Sequence, residues 1–196
     1  NARMSDKSMR QALRWPSLMK PAYAGLQAVL AQTQDDATRL QFLGAKVKNI
    51  TGNLKFDATP DAAQVAKGQA WRSRIAMPVI MLASSREGEE RLWLDAWQSF
   101  VKSNPDEHVQ WLLVPRHPQR VNEVVQLIEQ HGFQVSRRSS WGQEEGASPP
   151  VNAAGSTIFM GDSLGEMALY YSLADVALLG GSFEPLGGQN LIEAAA

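Results

Sequence analysis

The sequence predicts an α/β protein whose main body is a parallel β-sheet covered by helices on both faces. Three observations carry this. From Met77 onward, β-prone runs alternate with helical stretches at least four times, the pattern of successive βα units. The first run, Pro78-Val79-Ile80-Met81-Leu82-Ala83, is apolar throughout, as a strand buried on both faces must be. Polar, glycine-containing clusters recur just after the strands, where an open parallel sheet carries its ligand site.

The elements follow in order. Residues 1–55 predict helix, short strand, helix, short strand. The first helix carries Tyr23, Leu26, Val29 and Leu30 at helical spacing. A short second helix opens on Asp35-Asp36, acids suited to a first turn, and stops at Gly44. Residues 47–50 form a strand ending at Thr51-Gly52-Asn53. Residues 56–77, with Pro60, Asp61 and many alanines, predict a connector with a helical portion and a domain boundary. After the strand at 78–83 comes a helix with Trp93, Trp97, Phe100 and Val101 on one face. A strand at 109–114 precedes a helix with Val121, Val124, Val125 and Ile128 in register, then a short strand at 133–136. Residues 142–150 predict a surface loop. A strand at 157–160, a helix at 164–173, a strand at 176–179 and a helix from about Gly188 complete the chain.

Composition narrows the function. The 196 residues allow one large domain or two small ones. Nineteen Lys+Arg against 20 Asp+Glu give a net charge of -1, which excludes the diffuse positive footprint of a general nucleic-acid binder. Any anion site is therefore local. The absence of cysteine excludes disulfides, thiolate zinc sites and a Cys nucleophile. His108, His117 and His131 are too scattered for a His-based metal site, and no motif calls for a cofactor. No apolar run reaches the ~18–20 residues of a membrane-spanning helix, and Asn1-Ala2-Arg3-Met4 lacks the plan of a signal peptide. The missing initiator Met, and an end at Glu193-Ala194-Ala195-Ala196 inside a helical pattern, lead us to expect an excised fragment.

The unusual residues stand at the predicted strand ends. They are Ser84-Ser85-Arg86-Glu87-Gly88-Glu89-Glu90, Pro115-Arg116-His117-Pro118, Gly161-Asp162-Ser163-Leu164-Gly165-Glu166, and Gly180-Gly181-Ser182 with Gly187-Gly188-Gln189-Asn190. Glycines before a helix let backbone N–H groups approach a phosphate, and the helix dipole favours its charge. Gly187-Gly188-Gln189-Asn190 before Leu191-Ile192-Glu193 has that form, and Leu164-Gly165-Glu166 offers a second helix start. Arg116 supplies a fork of donors for phosphate or carboxylate. Glu166 and Glu193 suit a ribose diol or an exocyclic amino group. An anionic nucleotide satisfies both sets.

Each cluster also has a plain structural reading. Ser85-Arg86-Glu87 works as a capping turn with acids near the dipole. Pro115-Arg116-His117-Pro118 works as a rigid turn, Gly161-Asp162-Ser163 as a side-chain cap, and the paired glycines as a tight loop. Trp93 and Trp97 belong to the core, and Lys55 is by default a solvated lysine. No P-loop, dinucleotide fingerprint or nucleophile elbow is present.

Five ordered stretches nevertheless resemble one family: Thr51-Gly52-Asn53-Leu54-Lys55-Phe56-Asp57, Ser85-Arg86-Glu87-Gly88-Glu89-Glu90, Pro115-Arg116-His117-Pro118, Gly161-Asp162-Ser163-Leu164-Gly165-Glu166-Met167, and Gly180-Gly181-Ser182 through Gly187-Gly188-Gln189-Asn190-Leu191-Ile192-Glu193. Together they resemble the Kdo transferases (3-deoxy-D-manno-octulosonic acid transferases) of lipopolysaccharide synthesis, over nearly the whole chain. Three positions depart from the family pattern: Arg86 and Gln189 stand where it commonly has His, and Leu191 where it commonly has Pro.

The resemblance implies a two-domain, inverting GT-B glycosyltransferase with Rossmann-like sheets, moving Kdo from CMP-Kdo to a lipid A precursor at the cytoplasmic face of the bacterial inner membrane. Residues 1–55 would be the end of the N-terminal acceptor domain, 56–77 the connector, and 78–196 the truncated C-terminal donor domain. Pro115, Arg116, Leu164, Gly165, Glu166, Asn190, Leu191, Ile192 and Glu193 would hold CMP. Lys55 would stabilise charge in the transition state. The general base and the membrane association would lie before Asn1, so the soluble fragment is expected to bind donor without completing transfer. Two alternatives stay open: another GT-B or epimerase enzyme using a UDP-sugar, and a non-enzymatic association domain of the same fold.

Overall fold

The computed structural model describes residues 1–57, 59–142, 149, 156–185, 187–189 and 191–195. The chain forms two compact units, Asn1–Ala58 and Thr59–Ala196.

The first unit runs α1 (Asp6–Ala12), α2 (Pro16–Ala24), β1 (Val29–Ala31), α3 (Gln34–Phe42) and β2 (Val47–Ile50), then a 3-10 turn at Leu54–Asp57. β1 and β2 pair in parallel, and Ala2 adds a single parallel bridge to Ala31. Met4, Val29, Ala31, Leu40 and Leu43 form the core. Asp36 ties it together: its buried carboxylate accepts the Met4 N–H at 2.7 Å and the Thr33 hydroxyl at 2.7 Å. The expected run Tyr23, Leu26, Val29, Leu30 is not one helical face. Gly25 caps α2, and Val29 and Leu30 enter β1, where alternation buries Val29 and leaves Leu30 exposed. The second helix and the strand at 47–50 form as the sequence predicts, with Gly44 at φ 97 closing α3.

The second unit opens with α4 (Ala62–Arg72), capped by the Asp61 carboxylate on the N–H groups of Ala63 and Gln64. This is the helical portion of the stretch 56–77 expected as a connector, and it is packed into the second unit. An alanine Cβ at Gly68 would stand 2.5 Å from the Leu169 carbonyl, so only glycine lets the helices approach this closely. The Asp175 carboxylate joins the Arg72 guanidinium at 2.8 Å to the Val79 N–H at 2.7 Å. Burial raises its pKa, but these hydrogen bonds and the charge of Arg72 leave it below the usual carboxylate value.

Five strands then form one all-parallel sheet: β3 (Val79–Ser85), β4 (Gln110–Pro115), β5 (Gln134–Arg137), β6 (Thr157–Met160) and β7 (Val176–Leu179), in the order β5-β6-β4-β3-β7. Successive residues serve opposite faces. Met81, Leu112 and Phe159 join Trp71, Trp141 and Tyr170 in one core; Leu82, Leu113, Ile158 and Met160 join Leu94, Trp97 and Ile128 in the other. That division explains why the strands are apolar without alternation.

The first core holds α4 and α7 (Met167–Leu173), the second α5 (Glu89–Ser103) and α6 (Val121–Gln130). Trp97 is buried and stacks on Phe100, while Trp93 meets Trp111 edge-on at 4.1 Å. Val101 is exposed; the inward face of α5 instead runs through Glu90, Leu94 and Trp97. A last short helix, α8, spans Ile192–Ala195, four residues later than the sequence predicts. The expected loop at 142–150 lies mostly outside the described residues. Among the described residues, no helix is long and apolar enough to cross a membrane.

Candidate functional site

The carboxyl ends of β3, β4 and β6 surround a hollow of about 140 Å³. Its wall is apolar where Val114, Pro115, Pro118, Val121 and Met167 meet, and polar at Ser84, Arg116, Asp162 and Ser163; Leu164 and Gly165 complete it. The structure thus brings Pro115, Arg116, Leu164 and Gly165 together from segments 50 residues apart in the chain.

The backbone conformation of the rim follows from its contacts. The β3–β4 register passes over Ser84, which bulges out at φ 53, the one described non-glycine residue with positive φ. Beside it, an alanine Cβ at Gly180 would lie 2.4 Å from the Ser84 carbonyl. The Arg116 N–H bonds the Ser85 carbonyl at 2.9 Å, which fixes the main chain there. Its exposed guanidinium makes no hydrogen bond or ion pair among the described residues, so its donors remain available to a ligand.

Two buried carboxylates at the start of α5 organise this edge. Glu89 accepts the N–H groups of Gly181 and Arg86 at 2.8 Å each and of Phe183 at 3.1 Å, so it gathers the loop after β7. Burial raises its pKa, but the N–H groups of Gly181, Arg86, Phe183 and Ser182 outweigh that and leave it below the usual glutamate value. Glu90 accepts the Ser85 hydroxyl at 2.8 Å and a two-pronged contact from Arg120 at 2.9 and 3.2 Å. The reading of acids near the helix dipole holds, since both glutamates stand in the first turn of α5, but neither sequence reading foresaw their distant partners. Gly88 holds the cap position of α5, and each glutamate joins a neighbour in the preceding turn (Arg86 N–H for Glu89, the Ser85 hydroxyl for Glu90) to a partner far along the chain.

Glu166 does not present its carboxylate to the hollow as a free group. It accepts the Arg138 guanidinium at 2.8 Å and a short hydrogen bond from the Ser163 hydroxyl, which also meets the Tyr170 hydroxyl. Arg138 is buried against the rings of Trp71 and Trp141. Burial pushes the Tyr170 hydroxyl up to about 12, so it stays protonated as a hydrogen-bonding group. The Asp162 carboxylate accepts the Ser139 N–H and hydroxyl at 2.8 and 2.6 Å. The turn 161–166 is therefore moored to the turn 138–140. Helix α7 starts at Met167, three residues after the predicted 164, because Gly165 at φ 76 breaks the helical path.

The remaining expected residues do not enter this hollow's described lining. Leu191 is exposed and Ile192 half-buried at the start of α8; Asn190 and the Glu193 side chain lie outside the described residues. Lys55 is exposed on the 3-10 turn of the first unit, where the Asn53 side chain accepts its N–H at 3.2 Å. A wider depression of about 530 Å³ lies in the first unit among Arg3, Ser5, Asp6, Thr33, Asp36 and Arg39. Here Arg39 pairs with Asp6 at 2.8 Å, and Asp36 is committed to Met4 and Thr33. Among the described residues no group of acidic and histidine side chains is placed to hold a metal.

Comparison with known proteins adds three findings. A family model described as 3-deoxy-D-manno-octulosonic-acid transferase (kdotransferase) matches residues 1–58. Proteins named 3-deoxy-D-manno-octulosonic acid transferase align over the chain, from Bordetella pertussis at 44% identity over 100% of it and from Haemophilus influenzae at 32% over 98%. The chain spans 44% of the length of each of these curated relatives. A crystal structure titled as the C-terminal CMP-Kdo binding domain of WaaA from Acinetobacter baumannii superposes with a TM-score of 0.57 at 28% identity, covering 68% of this chain and 66% of that one.

Proposed function

The chain belongs to the family of 3-deoxy-D-manno-octulosonic acid (Kdo) transferases, and we propose that its second unit holds the donor CMP-Kdo for transfer to a lipid A precursor. The observation that carries this reading is the hollow at the strand ends with the unengaged Arg116 guanidinium on its rim. At about 140 Å³ it matches a single ring, since a cavity of ~150 Å³ holds benzene. The cytosine ring fills it, and the phosphate and Kdo lie on the open rim towards Arg116 and the segment leading into α8.

Each proposed role has a chemical reason. The acceptor hydroxyl oxygen attacks the anomeric carbon from the face opposite CMP, its proton passes to a base, and the C–O bond to the phosphate breaks with its electron pair leaving on CMP. The configuration inverts. Charge builds on the phosphate while the Kdo carboxylate remains charged, so cations fixed beforehand lower the barrier. Arg116 supplies a forked donor to the phosphate, and Lys55, presented by the Asn53-capped turn, supplies the second cation. The general base belongs to the family's N-terminal domain, and transfer takes place at the cytoplasmic face of the inner membrane.

Calorimetric titration of the chain with CMP tests the reading. One saturable site for CMP, with much weaker heat for UDP, is the expected result. A preference for UDP would redirect the assignment to another nucleotide-sugar enzyme, and no specific heat with either would make the fold an association domain.

A further inference from the structure

The excursion from the end of β7 to the start of α8 is tied back to the sheet at both of its ends. Near β7, Glu89 holds the N–H groups of Gly181 and Phe183. Towards α8, the Gly188 N–H bonds the Gly181 carbonyl at 2.7 Å, and the side-chain amide of Gln189 donates to the Ser84 carbonyl at 2.6 Å, across 105 residues of sequence. Gly187 and Gly188 both have positive φ, with open space where a Cβ would stand. Their glycines serve backbone freedom rather than packing, so the conformation here depends on what ties it.

The acceptor in that bond is unusual. It belongs to Ser84, which the bulge takes out of the β3–β4 register and which is also part of the hollow's wall. A left-handed conformation at a non-glycine residue costs energy and persists where surrounding contacts enforce it. The bond therefore joins a strained piece of the wall to a segment with little stiffness of its own.

We propose that Gln189 is a positioning residue of the donor site. It latches the segment at Gly188–Gln189 to the Ser84 carbonyl, so that this segment is in place before the nucleotide arrives. The inference rests on the donor-site reading above, and it identifies the physical task of a side chain that need not touch the nucleotide. Prior ordering raises affinity because less freedom is lost on binding.

The test compares Gln189→Met, which keeps the length without a donor, with Gln189→His, whose ring N–H restores one. Each chain is titrated with CMP, and backbone hydrogen exchange is followed across 187–189; matched thermal melts confirm folding. The expected result is a loss of about three- to tenfold in CMP affinity for Gln189→Met, with faster exchange, and recovery of both in Gln189→His. Unchanged CMP affinity in Gln189→Met overturns the latch. Loss of affinity with unchanged exchange also overturns it, because Gln189 would then be a direct ligand. A wild-type chain that binds no CMP removes the donor-site reading itself.

Discussion

Arg138 and Glu166 meet at 2.8 Å beneath the rim of the hollow, with the arginine enclosed by Trp71 and Trp141. The glutamate that the sequence offered to a nucleotide is thereby committed to the protein. Through it and Ser163, the turn at Gly165 is fixed to the sheet's far edge.

Replacing Arg138 by Met should cost about 2–4 kcal/mol of stability, because removing one member of an enclosed pair strands the other charge. Glu166 retains some exposure, which places the value below the largest seen. Urea denaturation reads the loss. A matching loss of CMP affinity in chains that remain folded would show that the Gly165 turn depends on this pair.

The ionised Glu89 contributes stability in a definite pH window. Its pKa in the folded chain lies below the ordinary 4.5, so its contribution is complete above that value and fades as pH falls through the folded value. The gap in unfolding free energy between wild type and Glu89→Gln should therefore be widest near neutrality and shrink below pH 4.5. Denaturation curves at descending pH supply the check. A gap independent of pH would mean that the amide replaces the carboxylate fully.

Arg116→Ala should weaken CMP binding by about 1–3 kcal/mol without altering the melting temperature, since its guanidinium makes no hydrogen bond or ion pair among the described residues. Calorimetry decides it. Unchanged affinity would take Arg116 out of the phosphate site.

Lys55 is expected to act on the reaction rather than on binding. In an enzyme carrying this segment at full family length, Lys55→Ala should lower kcat while leaving the donor dissociation constant close to wild type. Equilibrium titration beside steady-state kinetics separates the two. Weaker binding with intact turnover would make the lysine a ground-state ligand.

Much of the architecture was legible because strand and helix each leave a simple trace. Thr157–Met160 and Val176–Leu179 are short apolar runs between punctuating residues, and Val121, Val124, Val125 and Ile128 keep one helical face throughout. Local spacing misled where a neighbouring segment decided the outcome. Val29 fits the helical period of Tyr23 and Leu26, yet Gly25 ends that helix and pairing with Val47 draws Val29 into a strand. In the site, the glycines and prolines at strand ends marked Pro115–Arg116 and Leu164–Gly165 correctly as neighbours. Nothing local announces that Arg138 reaches Glu166, that Gln189 reaches the Ser84 carbonyl, or that Glu89 serves a loop after β7. Those depend on segments between 28 and 105 residues apart, and a linear pattern carries no trace of them.

The bond from Gly181 to Glu89 reaches back 92 residues, to the first turn of helix α5. At a ribosomal pace of ~5–20 residues per second, the glutamate waits roughly 5–18 s for its partners to emerge. Until β7 inserts beside β3, the nascent sheet has an open flank and a carboxylate without donors. The lining of the hollow, which ends at Met167, therefore leaves the ribosome before the loop that Glu89 anchors.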